Sequence, residues 1–103
     1  MGTVLVRYKI KDADRAAENE ALIRKVFASL HEGKPEGLRY ASFKLEDGLS
    51  FVHIASIQTA DGSNPLGETQ AFKDFQAEIG DRCSEPPHAE PLSEIGAYAF
   101  FGA

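Results

Sequence analysis

The chain has 103 residues, 43% of them hydrophobic, and a formal net charge of −5, which suits a single domain over residues 1–103 with one core. No basic cluster is present to neutralise phosphates, so nucleic acid is excluded as a partner. No run approaches the ~18 apolar residues of a membrane span, so no membrane association is expected.

Met1-Gly2-Thr3 leads directly into a strand with no basic-then-apolar leader, so no signal peptide is expected. The single cysteine, Cys83, rules out an internal disulfide and fits a reducing, cytoplasmic location. Thr3 to Ile10 reads as the first strand, because Val4, Val6, Tyr8 and Ile10 alternate with Thr3, Leu5, Arg7 and Lys9. Asp12 or Asp14 can cap the helix that follows, which runs to about Glu32 and stops at Gly33, before Pro35. Ala16, Ile23, Phe27 and Leu30 form its apolar stripe, with Val26 on the flank and Glu20 at an edge where its carboxylate reaches water.

Leu38 to Thr59 reads as a hairpin about Asp47-Gly48, through a type I′ turn with φ > 0 at both central residues. That turn places Lys44 opposite Phe51, Ser42 opposite His53, Tyr40 opposite Ala55 and Leu38 opposite Ile57. One face then carries Leu38, Tyr40, Ser42, Lys44, Phe51, His53, Ala55 and Ile57. The other carries Arg39, Ala41, Phe43, Leu45, Val52, Ile54, Ser56 and Gln58, whose aliphatic centre has the character of packing.

Residues 59–65 form a loop by their turn chemistry. Asn64 or Thr69 caps a second helix with Phe72, Phe75, Ile79 and Cys83 on one face, Cys83 being a small core residue. Residues 84–91 contain three prolines and read as a loop or extended lead-in to a last strand, Leu92 to Phe101, in which Gly96 marks a bulge.

The order β-α-β-β-α-β gives an α+β, ferredoxin-like sandwich: a four-stranded antiparallel sheet, strand order 4-1-3-2, with two helices on one face. The other face, expected to carry Leu38, Tyr40, Phe51 and Ile57, has nothing in the chain to cover it. A second copy packed sheet to sheet is the economical cover, so a homodimer is expected, with a pocket between the sheets.

Gly37-Leu38-Arg39-Tyr40, then Phe51-Val52, then Phe72-Lys73-Asp74-Phe75, in this order and separation, resemble the dimeric α+β barrel superfamily, and within it the antibiotic-biosynthesis-monooxygenase-like branch. The resemblance implies a homodimer with a ligand or active-site cavity between helices and sheet, and chemistry on aromatic or polyketide-like substrates without a metal or flavin. The chain departs from that branch where Ala55 and Ile57 stand at the positions of a Glu and a Trp, and where Ala71 stands at that of a His. Haem-degrading relatives use an Asn on the first strand with a Trp and a His, and this chain has no Trp and no Asn before Asn19.

His53 is the candidate catalytic residue, since a mid-strand imidazole can transfer protons near neutral pH. Tyr40, Ser42 and Phe51 are candidate ligand-binding neighbours. Arg7 is a candidate for an acidic ligand group if strand one turns it towards the cavity. His31 reads as a helix-end cation and His88 as a loop residue without a partner. The three histidines have no ligand spacing, and no glycine-rich phosphate loop occurs, so no metal and no cofactor are expected. Two classes stay open: a small cofactor-independent, monooxygenase-like or isomerase-like enzyme binding a small aromatic or hydrophobic ligand, and a non-catalytic dimeric binding or interaction domain.

Overall fold

The period-two alternation at the N-terminus forms β1 (Gly2–Ile10). The computed structural model describes residues 2–100. Asp12 caps α1 (Ala13–Gly33), its carboxylate accepting the Arg15 N–H at 2.8 Å. Gly33 is the last residue of α1 rather than its stop. The left-handed position falls on Lys34, at φ 47°, whose N–H donates to Leu30 O.

β2 (Leu38–Lys44) and β3 (Ser50–Ile57) form the hairpin in the expected register, with Ser42 opposite His53 and Lys44 opposite Phe51. The turn is not type I′. Gly48 has φ 72°, but Asp47 has no positive φ. The Gly48 N–H donates to Leu45 O at 3.0 Å, and the Asp47 carboxylate accepts the Leu49 and Ser50 N–H groups at 2.8 Å each. Bonds from the Ser50 hydroxyl and those two amides hold the Asp47 carboxyl down at about 2. The longer loop keeps the register because it too brings Leu45 and Ser50 together, the Leu45 N–H donating to Ser50 O at 2.9 Å. At the other end, a Cβ on Gly37 (φ 79°) would lie 2.7 Å from Gln58 O, so only glycine lets β2 start this close to β3.

The expected second helix is three short ones: α2 (Pro65–Glu68), α3 (Gln70–Ala77) and α4 (Ile79–Arg82). Both candidate caps are used, Asn64 for α2 and Thr69 for α3. Glu78, at φ −131°, leaves the helical region and cuts the stripe that would have joined Phe75 to Cys83. Cys83 is buried, but it opens a strand, β4 (Cys83–Leu92). The last strand is therefore the proline-containing segment and not Leu92 to Phe101. Phe101 lies outside the described residues. Pro86, Pro87 and Pro91 are tolerated because β4 is an edge strand that pairs with β1 alone. The irregularity expected at Gly96 lies instead in the β1–β4 ladder, where the register shifts between Arg7 and Ile10.

The sheet is antiparallel throughout, in the order β2-β3-β1-β4, which is the expected order read from its other edge. The helices cover the face carrying Tyr8, Ile10, Phe51 and Ala55, with Ala16, Ile23, Val26 and Phe75 packed on it. This reverses the expected faces. The mixed face of the hairpin is inside, and the aliphatic set, Ala41, Phe43, Val52 and Ile54, lies with Leu5 on the open side. The reason is ring packing. Phe27 stacks on Tyr40 at 5.2 Å, Phe75 lies 5.4 Å from His53, and Tyr8 stacks on Phe51 at 5.6 Å. Rings on both sides gain the offset and edge-on contacts that aliphatic side chains do not offer. Among the described residues no helix is long and apolar enough to cross a membrane.

Candidate functional site

His53 sits at the centre of the helix-covered face, 4% exposed. Its strand neighbours meet both ring nitrogens. Ser42, directly across on β2, has its Oγ 2.8 Å from Nδ1, and the Tyr40 hydroxyl, on the diagonal, is 2.6 Å from the same atom. From β1 the Tyr8 hydroxyl approaches Nε2 at 2.7 Å. Burial pushes the imidazole pKa down to about 4, so His53 is neutral at pH 7. Burial also raises both phenols, Tyr40 to about 12 and Tyr8 further.

The structure therefore brings His53, Tyr40 and Ser42 together as the hairpin register implies, with Phe51 stacked beside them on Tyr8. Arg7 is not among them. It pairs with Val52 and His88 across the ladders, which puts it on the open face, away from His53. The apolar set of β1 faces the helices, and the same alternation turns Arg7 to the other side of the sheet. His88 also differs from expectation. It lies on β4, exposed, with Nε2 3.0 Å from a Glu90 carboxylate oxygen.

Two further members of the cluster, Asn19 and Arg82, are not joined to it by sequence spacing. The Asn19 side-chain amide, on α1, donates to the Tyr8 hydroxyl at 2.9 Å. Arg82 Nε donates to the Asn19 carbonyl at 3.1 Å, and Nη2 donates to Phe75 O at 2.7 Å. Arg82 is 2% exposed, and its guanidinium lies over the Phe75 ring at 5.4 Å. The one local signal was Asn19 itself, which falls in step with Ala16, Ile23 and Val26, the other buried residues of α1.

Ser42 and Phe51 also border a cleft of about 420 Å³ between α1 and the β2 edge. Ile23, Phe27 and Phe43 complete its apolar wall, and Glu20, Arg24 and Lys44 stand at its rim. Glu20 bonds Arg24 at 2.6 Å and reaches across to Lys44 at 2.9 Å, tying α1 to β2. Those two bonds, Lys44's first, hold its carboxyl below the ordinary value. Among the described residues no group of three or more His, Cys, Asp or Glu is placed to hold a metal.

No family model matches the chain, and neither does the sequence of any curated protein. Solved structures do match its fold. Rv0793 from Mycobacterium tuberculosis superposes with a TM-score of 0.72 at 16% identity, over 92% of this chain and 95% of that one. A structure described as an antibiotic biosynthesis monooxygenase gives 0.69 at 16% identity, over 93% and 100%. SnoaB from Streptomyces nogalater, described as a cofactor-independent oxygenase, gives 0.65 at 16% identity, over 92% and 93%. The chain thus has the ferredoxin-like α+β fold of the antibiotic-biosynthesis-monooxygenase-like proteins.

Proposed function

We propose that the protein binds a small aromatic molecule in the cleft between α1 and β2, as a monooxygenase-like protein of this fold. The observation that carries this is the cleft itself: about 420 Å³, walled by Phe27, Phe43, Phe51 and Ile23, with one hydroxyl, that of Ser42, among them. Small-molecule sites have this size and an apolar wall, and here Glu20, Arg24 and Lys44 add a charged rim. His53 and Tyr40 do not border the cleft, so any proton that His53 moves to a ligand there passes through Ser42. The test is a melting experiment with the purified protein and a bicyclic aromatic probe, tetralone. At ten times its Kd the probe should add about 1.4 kcal/mol and raise Tm by roughly 6–11 °C. NMR shift changes should centre on Ile23, Phe27 and Phe51. No stabilisation at millimolar probe, or shift changes elsewhere, would overturn the assignment.

The homodimer belongs to the same proposal, through the face opposite to the one expected. Leu5, Ala41, Phe43, Val52 and Ile54 form an apolar strip on the open side, Phe43 is 36% exposed, and Ile95 and Tyr98 stand fully in solvent in the single chain. A second copy burying ~800 Å² per partner would cover such a strip. Ile54→Glu should give a folded monomer by light scattering, while Phe51→Ser, on the covered face, should lower Tm at any concentration. A wild-type protein that is monomeric at micromolar concentration would contradict this.

A further inference from the structure

The polar chain through the core has a direction, fixed at its Arg82 end. A guanidinium has no acceptor, so the Asn19 atom that receives Arg82 Nε at 3.1 Å is the carbonyl oxygen. The Asn19 amide nitrogen then faces Tyr8 and donates to its hydroxyl oxygen. The proton of Tyr8 has His53 Nε2 as its acceptor, 2.7 Å away. Nε2 must offer a lone pair, and in a neutral imidazole the proton then sits on Nδ1.

Nδ1 meets the Tyr40 and Ser42 oxygens at 2.6 and 2.8 Å. With Nδ1 protonated, three protons (one on Nδ1 and one on each hydroxyl) share three atoms, of which only the two oxygens accept. Tyr40 and Ser42 also hydrogen-bond each other, so the N–H and one O–H are used inside the triangle and the second hydroxyl proton has to leave it. The Tyr40 ring stacks on Phe27 and meets Phe72 edge-on, with its oxygen turned inward to His53. Ser42 borders the cleft.

We propose that the Arg82–Asn19–Tyr8 chain holds His53 as its Nδ1–H tautomer and thereby turns the Ser42 hydroxyl proton into the cleft. The cleft then selects aromatic ligands that carry a hydrogen-bond acceptor, a ketone or quinone oxygen, at that point. Arg82 and Asn19 are positioning residues in this scheme. The ligand half rests on the cleft reading above, and the tautomer half does not.

Nitrogen NMR of His53 in the free wild-type protein should show a protonated Nδ1 and an unprotonated Nε2. The reverse pattern would overturn the proposal. Asn19→Asp keeps the shape of the side chain and reverses its polarity. The carboxylate still accepts from Arg82 but now also accepts from Tyr8, so Nε2 takes the proton and both hydroxyls turn inward. The tautomer should flip in this variant, and the affinity for tetralone should fall about tenfold towards that of tetralin, which lacks the oxygen and should bind unchanged. An unflipped tautomer overturns the relay. Ser42→Ala should lose the same preference with the tautomer retained, and it decides the ligand half even if Asn19→Asp does not fold. Equal binding of tetralone and tetralin to the wild type would overturn that half. If neither compound binds, the cleft reading and the ligand half fall together, and the wild-type tautomer still decides the relay.

Discussion

Arg82→Ala is expected to destabilise the protein by about 3 kcal/mol, enough to lower Tm by more than 10 °C in a domain of this size. Arg82 is a buried cation whose hydrogen-bond acceptors are neutral: the Asn19 carbonyl and the Phe75 backbone carbonyl. Its truncation leaves both acceptors unpaired where water does not reach easily, at ~1–3 kcal/mol each, and opens a space beneath the Phe75 ring. Its own backbone carbonyl accepts the Lys11 N–H at 2.9 Å, which fixes the start of β4 against the end of β1. Arg82→Met fills most of the space and restores no donor, so it should fall between wild type and alanine. Lysine should rescue little, because an ammonium does not reproduce the fork that reaches two acceptors. Urea denaturation of the four proteins is the measurement. A loss under ~0.5 kcal/mol for alanine would show that the chain from Arg82 to His53 does not anchor the core.

The two ends of this core were not equally legible in the sequence. The hairpin register was, because Asp47-Gly48 restricts the closure of the loop and a period of two then carries the register to Tyr40, Ser42 and His53. The face that these residues occupy is not legible there, because the aliphatic set has the character of packing and yet lies on the open side. Which face is covered depends on the partner that the helices present, and Phe27, Phe72 and Phe75 suit rings better than they suit Val52 and Ile54. β4 was hidden by its prolines, which exclude a central strand but not an edge one. Arg82 lies 63 positions from Asn19, and Asn19 lies 11 from Tyr8, so no local spacing joins them. Only the sheet order, which brings β1 beside both β3 and β4, places the three on one path to His53.

Acid should expose the cost of keeping His53 neutral. Its folded pKa is depressed to about 4 from an ordinary 6.5 by burial. Between those values the unfolded chain binds a proton that the folded protein refuses, so stability falls as pH is lowered through this window and is fully present above it. At about 1.4 kcal/mol per unit of pH, the total is about 3 kcal/mol. The groups around the ring do not offset it. Tyr8 and Tyr40 are phenols held neutral far above this range, Ser42 is uncharged, and Arg82 is a fixed cation that reaches the imidazole only through Asn19 and Tyr8. The depressed carboxyls, Asp47, Glu20 and Asp61, lose their contribution from the ordinary carboxylate values downward, so they steepen the acid limb without creating the slope above it. His53→Gln removes the titrating group and keeps an amide to bond Tyr8 or Ser42. Its stability should be flat from pH 7 to about 5, where the wild type is already losing about 1.4 kcal/mol per unit. Parallel urea curves for the two proteins across that interval would mean that the slope comes from elsewhere and that His53 is not held neutral by the core.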